Sequence, residues 1–135
     1  MTSEVTQHLE FIQNAIDRMA RNSFSVKGWT VALTTGLFAL AAKEANSIYI
    51  LIAVYPALAL WGLDAYYVRQ ERLFRKLYDA IAEHGHSEHK PFLMSTSRFK
   101  GQVDSWAMTL KTPTVSLLHG VVFIALIAFS IILSK

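Results

Sequence analysis

Cysteine is absent from this 135-residue chain, so it can build neither a disulfide framework nor a thiolate metal site, and the redox state of its compartment is left open. Charge is sparse as well. Asp, Glu, Lys and Arg make up 17% of residues against 53% hydrophobic ones, below the roughly 25% charged fraction of soluble domains. The shortfall is concentrated, with no charged residue from Thr112 through Ser134. The start of the chain lacks the basic end and apolar core of a signal peptide: Met1 to Ala20 carries Glu4, Glu10, Asp17 and Arg18, so the N-terminus is expected to be retained. Only three prolines occur, which leaves long stretches free to stay helical.

What is present is apolar length. At 1.5 Å per helical residue, about 20 apolar residues cross a hydrocarbon core of about 30 Å, and Pro113 to Leu133 meets that requirement with Ser116, His119, Gly120 and Ser130 as its soft spots. Gly28 to Ala42 is shorter, but a snorkelling Lys27 lets the span be drawn as 25–42. After the Lys43-Glu44-Ala45-Asn46 interruption comes a further apolar run, assigned to 45–63, antiparallel to the first. Ala32 with Gly36, and Ala53 with Ala57, are small residues four apart that permit close helix approach. Pro56 is expected to kink the second span.

Outside these spans the pattern remains helical. Val5, Leu9, Ile12, Ile16 and Met19 recur in steps of four and three, giving an amphipathic helix over 3–23. That stripe serves either an intramolecular contact or an intersubunit coil. The second span is expected to continue over 64–84, with Leu73, Phe74, Leu77, Tyr78 and Ile81 on one side and Gly85 as the stop. Its stripe matches that of the N-terminal helix, so the two are expected to pair. Together they offer more apolar surface than one pairing covers, which predicts a homo-oligomer. The remainder, 85–112, is assigned to a loop and a short interfacial segment containing Trp106, with Pro113 opening the last helix over 113–134.

All 13 Lys and Arg residues except Lys43 and Lys135 fall on one side of this arrangement. The positive-inside rule therefore puts the N-terminus and the middle of the chain in the cytoplasm and the C-terminus outside, with Trp29, Trp61, Tyr66 and Tyr67 near the cytoplasmic headgroups. The expected class is an all-α membrane protein with three transmembrane helices and a cytoplasmic helical layer.

Chemistry-bearing constellations are few. His84, His86 and His89 lie within six residues beside Glu88, but their spacing matches no strong zinc motif, and the segment reads as a solvated polar linker without a metal site. No nucleophile, base or metal set converges in the sequence, so neither an enzyme nor a cofactor is expected. His119 sits about 9 Å inside the last span. It serves either a hydrogen bond to a neighbouring helix or a pore or ligand role. Basic residues with aromatics can meet a nucleotide or anionic membrane lipids, and next to a bilayer lipid is the commoner partner.

The stretch Asp17-Arg18-Met19-Ala20-Arg21-Asn22-Ser23-Phe24, running into Trp29-Thr30-Val31-Ala32-Leu33-Thr34-Thr35-Gly36-Leu37, resembles the entry to the first span in the SLATT and RipA-like octameric groups of small helical bacterial membrane proteins. The resemblance covers roughly the first 80 residues, and the third span departs from the two-span pattern of many of those proteins. It implies a membrane effector in nucleotide-signalled antiphage defence, four to eight copies per assembly, and the functional class to which the small channel subunit of the Hailong system belongs. No catalytic residue is carried over. On that expectation Arg69, Arg72, Arg75, Lys76, Arg98 and Lys100 form a basic face for a nucleotide or oligonucleotide, and Thr30, Thr34, Thr35 and His119 are the intramembrane polar groups available to line a pore or join its walls. The competing expectation is a non-conducting anchor that recruits a cytoplasmic partner.

Overall fold

A computed structural model describes residues 2–135. Two long helices form the frame, α1 over Ser3–Glu44 and α2 over Ile48–His84, followed by a 3-10 turn over Ser97–Gln102, the short α3 over Trp106–Thr109, and α4 over Pro113–Leu133. The architecture is all-helical. Three of these helices, α1, α2 and α4, are long and apolar enough to cross a membrane.

Helix α1 starts at Thr2, whose hydroxyl accepts from the Val5 amide and satisfies one of the free N–H groups at a helix start. The helix then runs without a break through the segment where the sequence suggested a boundary between 3–23 and 25–42. One seam explains the continuity. Val5, Leu9, Ile12 and Ile16 are followed at the same spacing by Ser23, Val26, Thr30 and Thr34, all buried. The seam turns polar halfway along without changing its period, so a single face of one helix meets two different environments. Ala45, in the left-handed region at φ 47°, closes α1, with its amide and that of Asn46 donating to the Ala41 carbonyl. Ile48 then donates to the Asn46 side chain as α2 begins.

Helix α2 is also unbroken. It passes Pro56 and continues beyond the apolar stretch to Gly85, whose φ of 61° is one a residue with a Cβ resists. The expected extension over 64–84 and its stop are therefore present. At the polar end of the hairpin, Val5, Leu9, Ile12 and Ile16 bury themselves against Leu73, Leu77 and Ile81, and Phe99 from the 3-10 turn plugs the same core. The two stripes pack against one another within a single chain, while Phe11 on α1 stays exposed.

At the apolar end the packing is different in kind. Ala41, Ile50, Ala53, Ala57, Val122 and Leu126 form the buried contact, and the large side chains Leu51, Tyr55, Leu117, Ile124 and Ile127 point outward. Ala53 and Ala57 thus serve close approach as expected. Ala32 and Gly36 do not: both are exposed, one helical face away from the seam. Helix α4 enters through Pro113 at its first turn, where the missing N–H carries no penalty. The connector before it is latched by two indoles, Trp106 Nε1 donating to the Gly62 carbonyl at 2.9 Å and Trp61 Nε1 to the Leu110 carbonyl at 3.2 Å.

Candidate functional site: a buried charge cluster and a basic groove

Where the apolar and polar ends meet, each of the three long helices contributes to one cluster. Ser23 and Lys27 lie one turn apart on α1, Asp64 on α2 faces them, and His119 comes from α4. The Ser23 hydroxyl donates to Asp64 Oδ1. Lys27 Nζ reaches Oδ1 at 2.9 Å, Oδ2 at 2.8 Å and the Ser23 hydroxyl at 2.8 Å. His119 Nε2 lies 2.9 Å from Oδ2. Asp64 and His119 are completely buried, and the Lys27 side chain is only 21% exposed. A lone buried carboxylate would be very costly, and the ammonium, the hydroxyl and the imidazole N–H together supply the donors that hold it.

A carboxylate only accepts, so Nε2 of His119 carries the hydrogen in that bond. Its Nδ1 is buried without a partner. The Trp61 ring stacks on the imidazole with an interplanar angle of 8° and centroids 5.9 Å apart. His119 therefore takes the first of its two expected roles, a hydrogen bond to a neighbouring helix. Lys27 is a correction: rather than snorkelling outward, it turns into the bundle to meet Asp64. Both charges flank apolar runs, Lys27 immediately before Gly28 and Asp64 immediately after Leu63. In antiparallel spans those positions lie at the same level, a signal that was available in the sequence.

The threonines are buried or outward-facing. Thr30 donates to the Val26 carbonyl at 2.9 Å and Thr34 to the Thr30 carbonyl at 2.7 Å, both hidden in the seam. Such back-bonding satisfies a hydroxyl where no water reaches it. Thr35 is exposed on the outer face. Within one chain, then, Thr30 and Thr34 bond only to the backbone of their own helix, α1.

Of the six basic residues singled out, Arg72, Arg75 and Lys76 surround one open groove of about 380 Å³ together with Gln102, Val103 and Asp104. Arg69 reaches the same connector, its Nε donating to the Asp104 carbonyl at 3.1 Å. Arg75 is paired with Glu71 at 2.8 Å one turn back, whereas Arg72 lies 3.9 Å from the Asp104 carboxylate, a loose pair. Arg98 is engaged elsewhere: it donates to His89 Nε2 at 3.0 Å and lies 5.5 Å from the Phe99 ring centre. Lys100 is exposed. The expected basic face is thus one groove lined by three of the six, with Arg69, Arg98 and Lys100 outside its lining.

The histidine segment is less solvated than the sequence suggested. His8 Nε2 contacts the Leu93 carbonyl and His8 Nδ1 contacts His86 Nε2, each at 3.0 Å, so His86 ties the loop to the start of α1. His89 is buried and stacks on Phe99. Burial first, and the neighbouring Arg98 guanidinium second, push the His89 imidazole below its ordinary value. His84 remains exposed. Among the described residues no three His, Cys, Asp or Glu side chains come together as a metal site would require. No protein-family model, curated protein or solved structure matches this chain.

Proposed function

We propose that this chain is an oligomeric inner-membrane effector, a channel or membrane-disrupting protein of antiphage defence, gated from the cytoplasm by a nucleotide or oligonucleotide bound at the Arg72, Arg75 and Lys76 groove. The supporting observation is the unbroken helix α2. Eight residues, about 12 Å of helix, separate Asp64 in the three-helix charge cluster from Arg72 in the groove. A phosphate that draws Arg72 away from its loose pair with Asp104 acts on the same rigid rod that holds the spans together. The basic middle region gives this reading its orientation, N-terminus inside and C-terminus outside.

The competing reading, a non-conducting anchor that recruits a cytoplasmic partner, is favoured by the inward-facing Thr30, Thr34 and His119, which leave few polar groups on the outer faces of the spans. Ion flux through planar bilayers holding the purified protein, with and without short oligonucleotides, separates the two. Ligand-dependent conductance that disappears in Arg72→Glu/Lys76→Glu, along with a salt-sensitive affinity for the oligonucleotide, supports the effector. Flux at the lipid background under every ligand and voltage supports the anchor.

A further inference from the structure

An apolar cleft of about 880 Å³ opens on the outer side of α2, between its last apolar turns, the short α3 and the start of α4. Leu58 and Ala59, both exposed, line it together with Trp61, Gly62, Trp106 and Lys111. Lys111 is the one ionisable group in this lining, and it forms no ion pair among the described residues. Both indole N–H groups are consumed by backbone carbonyls, those of Leu110 and Gly62. What the tryptophans offer the cleft is therefore ring surface. Gly62 lets one of them lie down, because a Cβ at this position would meet Trp106 Cζ2 at 3.2 Å.

We infer that this cleft holds a bilayer phospholipid with an anionic headgroup, one acyl chain along Leu58 and Ala59 and the phosphate beside Lys111. The commitment to this occupant rests on charge and on level. The bond from Trp61 to Leu110 sets the neighbouring Lys111 level with the end of the apolar stretch of α2, and Leu58 and Ala59 lie up to one turn further into that stretch. The one unpaired cation thus stands at the end of an apolar lining, as a lipid carries its phosphate at the end of its chains. Tryptophan rings with satisfied N–H groups flank that end, the placement tryptophan takes at a membrane–water boundary. A helix from a second copy would fill the apolar part but leave Lys111 without a counter-charge. The inference requires the helices to sit in a bilayer and is independent of gating by a nucleotide.

The test uses the full chain with Trp29→Phe, which leaves Trp61 and Trp106 as its tryptophans, in nanodiscs of phosphatidylcholine titrated with brominated phosphatidylglycerol or brominated phosphatidylcholine. The glycerol lipid is expected to quench at lower mole fraction. Lys111→Gln should weaken that preference about fivefold, the effect of ~1 kcal/mol for one basic residue near an anionic surface, and Lys111→Arg should retain it. Ala59→Phe, which fills the cleft, adds no tryptophan and leaves the charge in place, should reduce quenching by both lipids while helicity is unchanged. Equal quenching by the two lipids, or a preference that survives Lys111→Gln, overturns the inference. So does a second copy in the cleft, seen as efficient Ala59→Cys to Ala107→Cys cross-linking between chains that anionic lipid does not compete away.

Discussion

The two ends of the α1–α2 hairpin bury the same helices by different means. At the polar end Ile12, Ile16, Leu73, Leu77 and Ile81 are large and almost wholly enclosed. At the apolar end three of the six enclosed core residues are alanines, Ala41, Ala53 and Ala57, while Ile124 is 68% exposed and Leu117 72%. Removing large aliphatic surface from water stabilises the polar end by about 1.5–3 kcal/mol per side chain; on the proposed reading, with the apolar end in a bilayer, close backbone approach and internal polar bonds would hold that end instead. The Ser23, Lys27, Asp64 and His119 cluster lies at the changeover and ties the three long helices together.

The strongest way to break this comparison is to remove the centre of the cluster. Asp64→Ala leaves the Lys27 ammonium without its counter-charge and His119 Nε2 without its acceptor, and should cost about 3–5 kcal/mol, the usual effect of breaking a buried pair. Steric-trap or detergent-titration unfolding in bicelles would read it, and Asp64→Asn should cost less because it keeps acceptors for Lys27 and Ser23. A cost within about 0.5 kcal/mol for Asp64→Ala would show that the apolar end holds together by packing alone.

Next in size is a matched pair of truncations. Leu77→Ala at the polar end should cost about 2–5 kcal/mol as a core cavity does. Ile124→Ala on the outer face of α4 should fall within about 0.5 kcal/mol, since its side chain is mostly exposed. Equal costs would mean that α4 is covered by protein, as in a tight assembly of copies.

Acid should act on the polar end. The His89 imidazole is held below its ordinary value of 6.5, so the unfolded chain takes up this proton first as pH falls. The folded state has its full relative stability above about 6.5 and loses it as pH drops from there towards the lowered folded value. Unfolding midpoints at pH 7.5 and pH 5.5 should differ less in His89→Phe, which retains a ring against Phe99, than in the parent chain. The smallest effect is expected for Glu71→Gln. Its exposed pair with Arg75 contributes about 0.3–0.5 kcal/mol, and removing it should instead strengthen oligonucleotide binding at the groove by freeing Arg75, readable in a salt titration.

Periodicity and end signals were legible in the sequence because they are properties of one helix at a time. The stripe from Val5 to Ile16, its counterpart from Leu73 to Ile81, Gly85 as a stop and Pro113 as a start follow from 3.6 residues per turn and from what each backbone tolerates. Fixing which face of a span turns inward required the partners. Ala32 with Gly36 and Ala53 with Ala57 have the same spacing, yet only the second pair is enclosed, because small residues permit approach without specifying which helix approaches. The join at Ser23 also looked like a boundary, since composition changes there while the seam's period does not.

The sequence by itself determined three apolar helices, their order and the amphipathic continuation of the hairpin, since hydropathy and spacing are local. Tertiary structure alone decided that Lys27 turns inward to Asp64, that His119 completes their bonding, and that Arg72, Arg75 and Lys76 share a groove while Arg98 turns to His89. These pairings span 37, 55 and more than 20 residues in the first, second and groove-to-connector cases respectively. Across such separations a charge's partner is set by the relative rotation and level of packed helices, which no single helix encodes.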